Sequence, residues 1–144
     1  MSAGDCSALN AAASANTGIQ GALTPSVAFD DYVNSKNGTG CQISLITTRD
    51  VISNFTGLSE PVEDAMENLG WQQDSRYGAA GVGGYQIAYA KGKNLCFMMV
   101  STEPSDPSLC PLNSGEPITV CWSKLPPEQM LVSVTLNCAQ ANFP

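Results

Sequence analysis

Among the 144 residues, the side chains with the most readable chemistry are six cysteines, Cys6, Cys41, Cys96, Cys110, Cys121 and Cys138. Their spacings contain no C-x-x-C pair and the chain has no histidine, so the common zinc patterns have no ligands to draw on except four scattered thiolates. An even set of thiols with neither of those features points to disulfides, and disulfides persist in oxidising compartments. The expected location is therefore secreted, periplasmic or at the cell surface, and no cofactor or metal is called for.

The missing histidine also removes the usual general base, so serine and cysteine triads of the common kinds have no members to recruit. The adjacent pair Ser35 and Lys36 has the composition of a Ser/Lys dyad, but it lies beside Asn37 and Gly38 in a loop-like stretch. An activating lysine has to be held and desolvated, and nothing there would do so. The run Gly78-Ala79-Ala80-Gly81-Val82-Gly83-Gly84 resembles a phosphate loop only in composition. It precedes a strand and lacks the Lys-Ser/Thr ending and the following helix. A flexible connection or a close backbone approach explains it better.

Carboxylates are more numerous. Glu60, Glu63, Asp64 and Glu67 gather on one predicted helix, where helix-start acids are favourable without any ligand. The D-x-D-x-D-G arrangement of a calcium loop is absent. Asp30, Asp31, Asp74 and Asp106 are candidates in principle for paired-carboxylate glycoside cleavage, though none stands out. Trp71, Tyr77, Tyr85, Tyr89 and Trp122 would make a carbohydrate platform if exposed, but aromatics in or near strands usually build the core. Asn37-Gly38-Thr39 and Asn54-Phe55-Thr56 match the N-glycosylation acceptor pattern, which matters only in a host that glycosylates.

The elements that must position these groups follow from periodicity and punctuation. Alanines with Leu9 suggest a helix from Cys6, capped by Asp5 and stopping near Asn16. Thr24 to Gly40 reads as loop around a short piece, Val27 to Val33, and Cys41 to Ile46 as a strand. Thr47-Thr48 would cap a short helix carrying Val51, Ile52 and Phe55, or a hairpin would turn at Arg49-Asp50. The clearest helix spans about Glu60 to Leu69: Val62, Ala65, Met66 and Leu69 share a face, Ser59 serves as N-cap, Pro61 suits the first turn and Gly70 ends it. Trp71 should pack beneath it. Tyr85 to Ala90, Leu95 to Ser101, Ile118 to Ser123 and Met130 to Cys138 then read as four successive strands.

Helices early and strands late predict an α+β fold, with an antiparallel four- to five-stranded meander sheet, two to three helices packed on one face, and disulfides stabilising the whole. Residues 5–140 form the expected single domain, with 1–4 a disordered or non-native start. Strand parity places Cys138 on the inward face with Met130, Val132, Val134 and Leu136, and Cys121 on an outward face with Thr119 and Ser123. Cys96 lies in a strand apolar on both sides. The pairing suggested is Cys96 with Cys138, Cys110 with Cys121, and Cys6 with Cys41, one of fifteen possible schemes.

With 6 Lys+Arg against 13 Asp+Glu, the net charge is −7 and the field repels phosphate backbones and anionic lipid. Nucleic acid is not an expected partner, and no apolar run is long enough to span a bilayer. Met1-Ser2-Ala3-Gly4-Asp5 has no basic start or apolar segment, so an export signal, and with it any upstream helix or anchor, is expected to have been removed. Asp5 stands where a lipobox needs a small residue, which argues against lipidation of Cys6. Three functions remain. The leading expectation is a non-enzymatic extracytoplasmic module that binds an unknown protein or small molecule. The second is the soluble domain of a surface filament or assembly, its alanine-rich helix continuing into a removed apolar segment. The third is a carboxylate-dependent hydrolase.

Overall fold

A computed structural model describes residues 1–140. The fold is α+β, with one antiparallel sheet of six strands, one more than the upper limit expected from the sequence. In chain order the elements are α1 (Ala3–Thr17), β1 (Ala22–Asp31), β2 (Lys36–Thr48), α2 (Thr56–Asn68), β3 (Gln72–Gly81), β4 (Gly84–Lys91), β5 (Asn94–Pro104), α3 (Ile118–Lys124) and β6 (Met130–Gln140). Two short 3-10 turns, Pro107–Leu109 and Pro127–Gln129, flank α3. The strand order is β1-β2-β6-β5-β4-β3. The last strand thus lies in the middle of the sheet, joining the β1–β2 hairpin to the β3–β4–β5 meander.

Alternation in β6 explains that central place. Met130, Val132, Val134, Leu136 and Cys138 are all buried, while Leu131, Ser133, Thr135 and Asn137 on the opposite side are half-buried. On the buried side they meet Cys41, Ile43 and Leu45 of β2 and Cys96, Met98 and Val100 of β5. Leu9 and Ala13 of α1 and Leu58, Val62 and Met66 of α2 cover that face, and Trp71 is buried in the same cluster. Full burial of each such aliphatic side chain contributes about 1.5–3 kcal/mol. A smaller cluster of Phe29, Tyr77, Ala88, Leu95, Phe97 and Ala139 closes one end of the other face. Phe97 stacks on Phe29 at 5.2 Å and on Tyr32 at 5.6 Å.

Five local expectations are corrected. Thr47 and Thr48 end β2, and neither the short helix nor the hairpin at Arg49-Asp50 follows them. Ile118 to Ser123 is the helix α3, not a strand. Thr24 to Gly40 is not loop but most of a hairpin, with β1 tolerating Pro25 at a register shift between Thr24 and Val27 on the sheet edge. Gly40 has the reason for its identity in the fold: a Cβ there would lie 2.0 Å from the Cys138 carbonyl oxygen. Helix α2 begins at Thr56, a turn before Ser59, so Ser59 is a buried helical residue rather than the cap and Pro61 sits inside the helix. The N-cap of α1 is Ser2, whose side chain accepts from the Asp5 N–H while Asp5 accepts from the Ser2 N–H, a capping box. Asp5 is therefore the third helical residue, not the cap.

Candidate functional site

The six cysteines come together as Cys6–Cys41, Cys96–Cys138 and Cys110–Cys121. The first ties α1 to β2, the second joins facing positions of β5 and β6, and the third closes the loop between β5 and α3. Two of the three are wholly within the core beneath α1.

The predicted carboxylates serve different local roles, and two of them, Asp31 and Asp74, lie within electrostatic reach of the same Tyr77 and Arg76. Asp31 is buried and accepts hydrogen bonds from Tyr77 Oη at 2.9 Å and from Asn34 Nδ2 at 2.8 Å. Desolvation pushes its pKa up, but the donors at Asn34, Tyr77 and Val33 outweigh it and hold the carboxylate below its ordinary range. Burial, and then the hydrogen bond it donates to Asp31, push the Tyr77 pKa up to about 12. Asp74 is engaged by Arg76 at 2.6 Å. Asp106 caps the Pro107–Leu109 turn by accepting from the Ser108 N–H, and Asp30 is exposed on β1. Each is thus spent on a turn, a pair or the surface.

On α2, Glu60, Asp64 and Glu67 face solvent and Glu63 is half-buried. Burial raises the Glu63 pKa; the Tyr85 hydroxyl 3.5 Å away opposes this, and Glu60, Glu67 and Asp64 add to it. Tyr85 Oη also donates to Ser59 Oγ at 3.0 Å. The acidic face is a solvated helix side anchored by one tyrosine.

Trp71, Tyr77 and Tyr89 are buried and offer no platform. Ser35 and Lys36 lie at the exposed β1–β2 turn. Asn37 is exposed on β2, while Asn54 uses its Oδ1 to accept from Thr56 Oγ1 at 2.6 Å and the Gly57 N–H at 2.9 Å.

Trp122 is different. The glycine-rich run spans the end of β3, the turn at Val82 and Gly83, and the start of β4, and Gly83, at φ +79, lies against the indole. A Cβ at Gly83 would approach Trp122 Cζ3 to 2.6 Å and the Thr102 carbonyl to 2.7 Å, so close backbone approach accounts for this glycine. The Gly83 carbonyl accepts from the Thr102 N–H at 2.7 Å. Two clefts meet at Trp122. One, of about 300 Å³, lies over the β3–β4 turn and Met99, and the other, of about 480 Å³, lies among Pro104, Pro107, Leu112 and Ile118. Glu103 is the one carboxylate lining either. Val82, Met99 and Leu112, at 68%, 48% and 91% exposure, rim this corner with apolar surface.

A second feature escaped sequence reasoning. The outward side of α1 presents Gly4, Ser7, Ala8, Ala11 and Ala15, all exposed, and Asp5 is the only charged residue of the helix. The signal was present as an alanine-rich helix without charge, but which of its residues face outward depends on where Cys6 is tied.

No protein-family model matches the chain, and neither a curated protein nor a solved structure matches it significantly. Among the described residues, no helix is long and apolar enough to cross a membrane.

Proposed function

We propose that this chain is a non-enzymatic extracytoplasmic domain that works by docking to protein, as the soluble domain of a surface filament or similar assembly, with α1 as its contact helix. The observation that carries this reading is the outer face of α1. A helix side left to water normally carries charge, as α2 does with Glu60, Asp64 and Glu67. α1 instead shows small uncharged side chains, over which another backbone can approach closely, and it is held in place covalently through Cys6. Three disulfides support an oxidising location. Asp31, Asp74 and Asp106 are each engaged by donors of the fold, which weighs against a free catalytic pair of carboxylates.

The test is to place Ala8→Glu with Ala11→Glu in the full-length protein of the producing cells. The expected result is loss of the chain from high-mass complexes in sedimentation, with the melting temperature of the purified domain unchanged. Unaltered sedimentation would remove α1 as the contact helix.

A second reading follows from the Trp122 corner, where exposed Val82 and Leu112 border two clefts. This corner would then be the binding surface of a ligand module. It predicts that Leu112→Ser together with Val82→Ser lowers binding of a hydrophobic dye while leaving assembly intact.

A further inference from the structure

Four of the six cysteines occupy one place in the fold. Cys41 of β2 stands opposite Cys138 of β6, and Cys96 of β5 stands opposite the same Cys138 from the other side. All three are buried on the helix-covered face, and Cys6 reaches them from α1. Cys138 therefore has a cysteine on each flank and is bonded to one of them.

The pleat decides whether the other flank is within bonding range. A residue in a central antiparallel strand directs both its N–H and its C=O to one neighbour, so it forms a wide, hydrogen-bonded pair on that side and a narrow pair on the other. The Cα separation of 4.0 Å between Cys96 and Cys138 marks the narrow side. Cys41 and Cys138 are then the wide pair, with a Cα separation of about 5.5 Å. That lies within the Cα range of disulfides, and because the side chains of a wide pair stand farther apart than those of a narrow one, Cys41 has to turn its sulfur toward Cys138 to reach it.

We propose that Cys41, Cys138 and Cys96 form a thiol–disulfide exchange row, through which release of the α1 tether moves a bond across the sheet instead of leaving Cys41 reduced. An external dithiol reduces Cys6–Cys41, supplying two electrons and becoming a disulfide itself, and leaves Cys6 as a thiol and Cys41 as a thiolate. The Cys41 sulfur attacks Cys138 Sγ, the Cys41–Cys138 bond forms, the Cys96–Cys138 bond breaks, and Cys96 leaves as a thiolate that takes up a proton. The second step involves no net oxidation or reduction. Its product has α1 free of its tether while β6 stays cross-linked, now to β2 rather than β5. Cys110–Cys121 lies outside the row and takes no part. The inference does not depend on what docks against α1.

Limited reduction of the native chain with dithiothreitol, acid quenching, alkylation and mass mapping of a non-reduced digest test it. In molecules labelled at Cys6, the expected pattern is label on Cys96 and a peptide pair joined through Cys41 and Cys138. Label confined to Cys6 and Cys41, with Cys96–Cys138 intact, overturns the proposal. The variant Cys6→Ser needs no reductant and carries a single free thiol, which should appear at Cys96 as well as at Cys41. In Cys6→Ser with Cys41→Ser, label at Cys96 should disappear, whereas persistence would mean that Cys96 opens without Cys41. If the variants fail to fold, partial reduction of the native protein decides alone.

Discussion

The two long helices lie side by side on the same sheet face, yet they are held by different means. α2 docks through a stripe of Leu58, Val62, Ala65 and Met66 and turns its acids outward. α1 buries only Cys6, Leu9 and Ala13, and one of those three is a disulfide. Side-chain packing suffices to fix α2. For α1 a covalent bond substitutes for the apolar surface the helix lacks, and its outer side of small uncharged residues is left to solvent. The contrast separates a helix fixed by packing from one fixed by a covalent bond.

Breaking the tether should have the largest effect. Replacing both Cys6 and Cys41 by serine removes a cross-link spanning 35 residues, and is expected to cost about 3–4 kcal/mol in denaturant unfolding. Amide exchange should quicken throughout α1 and hardly at all in α2. Equal loosening of the two helices would refute the distinction between them. Met66→Ala comes next, with a loss of about 2–5 kcal/mol, because its side chain is wholly buried between α2 and the sheet. Here the exchange pattern should reverse, with α2 the more exposed.

A smaller stability effect concerns the acidic side of α2. The Glu63 pKa is raised by burial and by its acidic neighbours, so its ionised form is less favourable folded than unfolded. Stability from this group is complete below the ordinary glutamate pKa of about 4.3 and is lost as pH rises through the higher folded value. Glu63→Gln should therefore stabilise the protein at neutral pH by about 0.5 kcal/mol, and the gain should vanish in acid. Ala8→Glu on α1 should change stability by less than about 0.5 kcal/mol, since exposed substitutions away from packing seldom do more. A large loss in the isolated domain would mean that the outer side of α1 is already packed.

Periodicity made α2 and β6 legible, because each buries one complete stripe against the same core. The inward side of Cys138 followed from the same alternation. The edge strands β1 and β3 were missed for a shared physical reason: an edge tolerates Pro25 and needs little apolar alternation. β3 buries only Tyr77. Ile118 to Ser123 misled because a single alternating run of six cannot distinguish a strand from one turn or two of helix. Pro117 before it, and the Cys110–Cys121 bond across an 11-residue separation, accompany the helical outcome.

By itself the sequence determined the α+β character, the net acidic charge, the absence of histidine from these residues and the inward stripe of the last strand. All of these depend on residue type or on neighbours within a few positions. Only the tertiary structure decided that β6 lies between β2 and β5, that three cysteines line up across those strands, and that the uncharged side of α1 faces outward. Each of those depends on which distant segments pair, and strand pairing is set by the summed burial of whole faces rather than by any local run of residues.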